Sequence, residues 1–225
     1  MKFFRRQRSA LADRVPPGAL RDYLTTPPPD PATPLRAARL LAIDMETTGL
    51  DPVTDQLLSV GFVPVDGELI ILSGATEILI RPQGDVGESA RYHGLTDDAL
   101  RSGVGLAEAL ERVLAALTGR VLLAHHAAIE TGFLAQACDV LYGVRPSFDV
   151  VDTMSLQFAL LTQGYDDEPP QGSLRLWAAR GQYGLPRYAA HAALTDALAC
   201  AEIYLAQAAE LQATRPRTLK SLLKG

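Results

Sequence analysis

The clearest alternation of apolar and polar side chains occurs in the stretch LLAIDMETTGL, which begins at residue 40. Leu41, Ile43 and Met45 alternate there with a second set that includes Asp44 and Glu46. Because successive side chains of a strand point to opposite faces, the pattern predicts a strand with both carboxylates on one face. Like charges side by side repel and lose hydration, a cost that a divalent cation would remove. The stretch predicts either a metal site or, as for most isolated pairs of this kind, two solvated acids near a turn.

Further periodic segments predict additional strands and helices. β-rich runs at 56–65 and 68–80 flank Asp66-Gly67, a dipeptide typical of hairpins. Short apolar runs predict strands at 120–124 and 147–151. Apolar residues at helical spacing, together with capping and proline signals, predict helices at 18–24, 96–100, 106–117, 129–141, 152–161, 173–180 and 191–208.

The composition indicates one domain with appendages. The chain has 225 residues, is 48% hydrophobic and contains no apolar run near eighteen residues, so no membrane span or membrane partner is expected. The basic start lacks the apolar segment of a secretory signal. Cys138 and Cys200 lie in alanine-rich helical surroundings, which favours buried thiols over a disulfide or zinc site. We therefore expect a cytoplasmic protein.

Charge is distributed unevenly and indicates three regions. Residues 1–36 carry a net charge of +4 and include a proline-rich linker, residues 37–213 carry −13, and residues 214–225 carry +4. We predict a basic N-terminal extension, a central globular domain and a basic C-terminal tail with these bounds. The extension could pack on the domain or act as an arm that binds nucleic acid or a partner. An acidic body does not bind nucleic acid by bulk attraction, so local arginines, cations or the tails would have to do so.

Three further ionisable residues stand where helices are predicted to begin. Glu130 lies near the start of one helix, and His191 and Asp196 lie at the start of the last long helix. Each has a simple structural explanation, since acids favour helix N-termini and a histidine there can bond to the backbone. On one helix His191 and Asp196 would point about 140° apart, so His191 would have to precede the helix to share a site with Asp196.

The order of these segments resembles the DnaQ-like 3′–5′ exonucleases, the branch of the DEDD superfamily with a histidine in its third motif. The first motif is matched from Asp44 to Gly49, and the third by His191 with Asp196. The segments RYHGLT from residue 91 and VDTM from residue 151 resemble two further family segments. The resemblance covers residues 38–212 and implies an α/β fold, a ribonuclease H-like mixed five-stranded sheet flanked by helices.

The second family motif is altered. The family pattern A-H-N-x-x-F-D is replaced by AHHAAIE from residue 124, which puts His126, Ile129 and Glu130 where asparagine, an aromatic residue and aspartate are usual. Glutamate keeps the charge and the oxygen ligands but is one methylene longer. Because no other acid in the segment is placed to replace it, we predict that Glu130 keeps the ligand role.

The resemblance implies two Mg²⁺ or Mn²⁺ ions about 4 Å apart. Asp44 would bridge both ions, Glu46 and Asp196 would complete the first site, Glu130 would support the second, and His191 would activate the attacking water. Hard carboxylate ligands suit these ions. The residues predicted to contact the substrate are Thr47, Thr48, Gly49, His93 and Phe133, although core packing is the common role of a helical phenylalanine.

The sequence therefore predicts an exonuclease that removes nucleoside monophosphates from single-stranded 3′ ends. DNA is taken as the substrate, although these motifs do not distinguish DNA from RNA. It would act either as a proofreading subunit bound to a DNA polymerase or as a free-standing repair or RNA-processing enzyme. The alternatives are a catalytically weakened relative that binds nucleic acid or a polymerase, and a metal-binding acidic cluster without nuclease function.

Overall fold

The computed structural model describes residues 8–83, 95–162, 168–189 and 192–223, and a mixed sheet lies at its centre. The central strand pairs antiparallel with the second strand and parallel with the fifth, which pairs parallel with the sixth. The strands are β1 (Arg39–Thr47), β2 (Leu57–Asp66), β3 (Leu69–Ile70), β4 (Thr76–Leu79), β5 (Val121–Ala124) and β6 (Val150–Asp152).

The predicted mixed sheet is confirmed, but it has six strands instead of five. The predicted run at 68–80 is interrupted by a 3₁₀ turn at Leu72–Gly74, and the pieces on either side, β3 and β4, both pair with β2. Gly67 adopts φ 62°, as the predicted hairpin turn requires. The predicted strand at 147–151 is shorter and later, since only Val150–Asp152 pairs with β5.

Helices cover both faces of the sheet. They are α1 (Ala19–Thr25), α2 (Asp97–Arg101), α3 (Leu106–Leu117), α4 (Ala128–Tyr142), α5 (Thr153–Thr162), α6 (Leu176–Gln182) and α7 (Ala193–Gln212). The predicted helices are confirmed with shifted ends: α6 starts three residues after the predicted 173, and α7 ends four residues after the predicted 208. Within the described ranges, no helix combines the length and the hydropathy needed to cross a bilayer.

The alternation along β1 separates two hydrophobic clusters. Leu41, Ile43 and Met45 belong to the cluster that also contains buried residues of α1, α3 and α4. Leu40 and Ala42 belong to the cluster on the other face, which contains buried residues of α7. Asp44 and Glu46 continue this second face, so α7 packs on the side of the sheet from which both carboxylates project.

Gly61 allows α7 to approach the sheet beside Asp44. Gly61 pairs with Asp44 in the β1–β2 register. A Cβ atom on Gly61 would overlap the backbone carbonyl of Ala193 and the backbone nitrogen of Leu194. The first turn of α7 therefore rests directly on the backbone of β2, three residues before Asp196.

Both chain ends pack on the domain in the described residues. Leu20 and Leu24 of α1 are buried in the first cluster, and the Ala19 amide donates to Glu111 Oε2 at 2.9 Å. At the other end Leu219 is buried in the second cluster, and its amide donates to the carbonyl of Thr33 at 3.0 Å. The described part of the extension is therefore packed against the central domain, while the boundaries at 36 and 213 stay predictions.

We expect Gly61→Ala to destabilise the fold by about 1–3 kcal/mol, because the added methyl group would force α7 away from β2. Gly181→Ala is the matched control: a Cβ there meets open space, and alanine favours the helix by up to about 1 kcal/mol. Urea unfolding of both variants measures the difference. Equal stability of Gly61→Ala and the wild type would show that the close approach of α7 to β2 does not require glycine at this position.

Candidate active site

Three carboxylates from distant parts of the chain meet at the end of β1. Asp44 and Glu46 project from the strand, and Asp196 projects from the first turn of α7. One carboxylate oxygen of each lies within 4.8 Å of one oxygen of the other two. The register of β1 against β2 shifts directly after Glu46, so the regular ladder ends where this cluster forms.

Glu130 adds a fourth, deeply buried carboxylate. It lies in the first turn of α4 and is 3% exposed, and its Oε2 atom is buried without a hydrogen-bond partner. Burial, together with the charge of Asp152, raises the pKa of Glu130 to about 8. Its sequence position near a helix start would also fit simple capping, but a buried oxygen without a donor does not stabilise a helix end.

The carboxylates raise one another's pKa values. Burial and then the charges of Glu130, Asp196 and Glu46 raise the pKa of Asp44 well above its ordinary value. Burial, followed by the charges of Asp196 and Glu77, raises the pKa of Glu46 to about 7. Four carboxylates that share a poorly hydrated space cannot all ionise at low cost unless a cation joins them.

A buried aspartate holds the turn that leads to Glu130. The carboxylate of Asp152 accepts from the His126 amide at 3.0 Å, from the Met154 amide at 3.0 Å and from the Ser155 hydroxyl at 3.1 Å. His126 has φ 72°, the only positive value among the described residues other than glycine. This left-handed conformation is unfavourable for histidine, and the bond to Asp152 stabilises it.

His125 connects the same turn to two other segments. Its Nδ1 lies 2.9 Å from the Thr153 hydroxyl, and its Nε2 lies 2.8 Å from the Leu174 carbonyl. Because a carbonyl oxygen can only accept, we assign the proton to Nε2 and the acceptor role to Nδ1. Burial lowers the pKa of His125 to about 4, so the ring is neutral near pH 7 and serves as a structural link.

The Thr-Thr-Gly turn after β1 is held by Asp55. The Thr48 hydroxyl donates to Asp55 Oδ1 at 3.2 Å and accepts from the Gln56 amide at 2.9 Å. A Cβ on Gly49 would overlap the Asp55 carboxylate, which explains the glycine. These contacts hold the turn in place, and Thr47, Thr48 and Gly49 line the cavity above the carboxylates.

The site opens into a cavity of about 640 Å³, a volume within the usual range of ligand sites. Asp44, Glu46 and Glu130 line it, as do Met154 and Arg175. Phe133 does not line it: this side chain is 3% exposed and packs in the first hydrophobic cluster, so we do not assign it a substrate contact. His93 and His191 lie outside the described residues.

A buried arginine, not singled out by the sequence pattern, ties α7 to the segment that precedes His191 in the chain. Arg180 is 1% exposed and donates to the Ala199 carbonyl at 2.7 Å and the Pro186 carbonyl at 2.9 Å. It also forms an ion pair with Glu202 at 2.7 Å, and Glu202 accepts from the Tyr188 hydroxyl at 2.8 Å. The sequence gives no sign that Arg180 is buried, because an arginine at the end of WAAR in a short helix is typical of a solvent-exposed position.

The residues present fit a hard divalent cation. Asp44, Glu46 and Asp196 offer carboxylate oxygens at mutually compatible distances, and the buried Oε2 of Glu130 is an acceptor without a donor. Both cysteines are free and buried, and neither lines the cavity. An all-oxygen donor set favours Mg²⁺ or Mn²⁺ over softer metals.

Comparison with known proteins identifies relatives along most of the chain. A family model described as RNase_T, exonuclease, matches residues 41–204. DNA polymerase III subunit epsilon of Treponema pallidum is 31% identical over 166 residues, which cover 72% of this chain and 73% of that protein. DNA polymerase III PolC-type of Thermotoga maritima is 28% identical over 169 residues, which cover 75% of this chain but 12% of PolC.

A solved structure shares the fold. E. coli exonuclease I in complex with a dA16 oligonucleotide superposes with a TM-score of 0.64 at 17% identity, covering 79% of this chain and 42% of that one. This likeness confirms the predicted ribonuclease H-like fold.

We expect the metal-free protein to lose stability as pH rises from about 4.5 to about 8. Glu46 and Glu130 share an ordinary pKa of 4.5, and the folded values are about 7 and about 8. In this window the folded state binds more protons than the unfolded state, so the free energy of unfolding falls with pH. Below this window both glutamates are protonated in the folded and the unfolded state, so they no longer make the free energy of unfolding depend on pH.

Urea unfolding in the presence of a chelator, at a series of pH values, measures this slope. Glu46→Gln should flatten it, because one of the titrating groups is removed. Adding Mg²⁺ or Mn²⁺ should restore stability at the high-pH end, since a ligand that binds only the folded state stabilises it. A metal-free stability that rises across the window in the wild type would contradict this account of the cluster.

Proposed function

Because the chain belongs to the RNase_T exonuclease family, we propose that it removes nucleoside monophosphates from the 3′ ends of single-stranded nucleic acid by metal-dependent hydrolysis. The observation that carries the proposal is the meeting of Asp44, Glu46 and Asp196 within 4.8 Å of one another, with Asp44 and Glu46 also lining an open cavity. Such a cluster does not stabilise a folded protein, because the carboxylates lose hydration and their charges repel one another.

The residues have distinct roles in this proposal. Asp44 receives the electrostatic effect of the other three carboxylates, so it would take part in holding both ions. Glu46 and Asp196 would hold one ion and Glu130 the other. When bound, two divalent ions would stabilise the charge that develops on the attacking and leaving oxygens of the phosphodiester.

His191 is the proposed general base. An imidazole can exchange a proton near neutral pH, and in the sequence His191 is two residues before α7, on the short segment between the loop held by Arg180 and Asp196. It would take the proton of the attacking water, and the phosphodiester bond would then break with departure of the 3′ oxygen. The backbone of Thr47 and Thr48 would position the terminal nucleotide.

The biological setting remains part of the proposal. The similarity to polymerase III epsilon and PolC supports a proofreading role with a DNA polymerase as partner, and the exonuclease I complex supports a single-stranded DNA substrate. Two free buried thiols favour the reducing cytoplasm. RNA would need room for the sugar 2′ hydroxyl beside the terminal nucleotide.

A time course on 5′-labelled single-stranded DNA and RNA of one sequence tests the function. We expect products shortened one nucleotide at a time with Mg²⁺ or Mn²⁺ and none with a chelator. Asp44→Asn should abolish the reaction, because the shared ligand loses its charge. Asp139→Asn is the control, since Asp139 lies on α4 but pairs with Arg145 at 3.2 Å and does not line the cavity.

Activity of Asp44→Asn equal to that of the wild type would reject the active site. Release of the labelled 5′ nucleotide as the first product would reject the polarity. Strand binding without cleavage by the wild type would favour the alternative of a catalytically weakened binding module.

We expect His191→Ala to lower kcat about 10²–10⁴-fold while metal binding and the urea midpoint stay unchanged, because the base is lost but the carboxylates remain. The dependence of kcat on pH should lose its acidic limb in this variant. Calorimetric titration with Mn²⁺ reports metal binding independently of turnover. Wild-type turnover in His191→Ala would assign the base elsewhere.

A further inference from the structure

Arg175 is a cationic residue of the cavity wall to which the functions above assign no role. It directly precedes α6, is exposed, and lines the same cavity as Asp44, Glu46 and Glu130. Among the described residues that line this cavity, it is the only lysine or arginine. No described carboxylate forms an ion pair with its guanidinium group.

The surrounding charge makes this position unusual. Residues 37–213 contain ten arginines against twenty-three acids, and the floor of the cavity is made of carboxylates. A polyanionic strand that reaches those carboxylates is repelled along its whole length, not only at the phosphate that reacts. Cations at the floor can compensate for the reacting phosphate, but the next phosphates of the strand need a positive group on the wall.

The backbone of Arg175 is held in place relative to the turn at His126. The carbonyl of the preceding residue, Leu174, accepts from His125 Nε2 at 2.8 Å, and His125 adjoins the His126 turn. The Arg175 amide donates to the Gly172 carbonyl at 3.1 Å, and the Arg175 carbonyl accepts from Ala179 at 2.9 Å. Because its backbone is held, only the side chain has to be ordered when Arg175 binds a ligand.

We propose that Arg175 binds a non-scissile phosphate of a single-stranded substrate, on the 5′ side of the bond that is cut. The guanidinium fork matches two phosphate oxygens, and it would guide the strand across the cavity wall while the carboxylate cluster acts on the terminal phosphodiester. This inference rests on the proposed function and defines its substrate further: more than one phosphate is required for full affinity.

The test compares a substrate with several phosphates and one that has only the reacting phosphate. Arg175→Gln and the wild type are assayed on a short oligothymidylate and on the p-nitrophenyl ester of thymidine 5′-monophosphate. We expect KM for the oligonucleotide to rise about tenfold with kcat unchanged, and kinetics on the ester to stay the same. The slope of log KM against log salt should fall by about 0.7, as expected for one lost contact to a single strand.

Two controls separate this contact from general charge and from fork geometry. Arg112→Gln removes the same charge from the exposed face of α3, where Arg112 pairs with Glu108 at 3.9 Å, and KM should not change. Arg175→Lys should recover part of the affinity, because it keeps the charge but not the fork. A neutral methylphosphonate next to the terminal linkage should raise KM for the wild type and have no further effect in Arg175→Gln.

The outcomes distinguish the two proposals. An active wild type with unchanged KM in Arg175→Gln overturns the phosphate contact and leaves the exonuclease intact. Equal losses on the oligonucleotide and the ester also overturn it, because Arg175 would then act at the reacting phosphate or on the fold. A wild type that cleaves neither substrate overturns the proposed function and, with it, this inference.

Discussion

The constraint that dominates this structure is the repulsion among four carboxylates that lie close together. Burial is the main reason why the pKa values of Asp44, Glu46 and Glu130 are raised, and the charges of neighbouring carboxylates also contribute. The fold tolerates this arrangement because the carboxylates lie on a central strand and two helices that are well packed. The carboxylates themselves do not contribute to that packing. The stabilising contacts are elsewhere, in the two apolar clusters on either face of the sheet. The carboxylate cluster is thus positioned by packing in which its own side chains take no part.

The framework achieves this with small residues and backbone contacts. Gly61 brings α7 against β2, and alanines along α7 bury a face with little side-chain bulk. Polar links then hold the loops that local packing leaves free: His125 joins the turn at His126 to Leu174, and Arg180 joins α7 to Pro186. These links are neutral or paired, so they add rigidity without contributing net charge to a site that is already strongly negative.

Local pattern and family resemblance together predicted much of the fold and the site. The period of two in β1 placed Asp44 and Glu46 on one face, and helical spacing located α3, α4 and α7. Interactions between distant segments were harder to predict from the sequence. Nothing near Asp152 in the sequence shows that it accepts from His126, and an arginine such as Arg180 looks solvent-exposed until the partners on α7 are known. The split of one predicted strand into β3 and β4 was missed because alternation does not reveal a 3₁₀ turn. Phe133 was placed with the substrate by analogy, and the structure places it in the core.

The dual role of Asp152 affects how mutations near the site should be read. One carboxylate holds the left-handed turn at His126 and also accepts from the first residues of α5. Replacing it would release two backbone segments together, so inactivation there would say nothing about metal ligation or proton transfer. Loss of activity on substitution is often taken as evidence that an acid is catalytic. In this fold Asp152 instead holds its neighbouring segments in their positions.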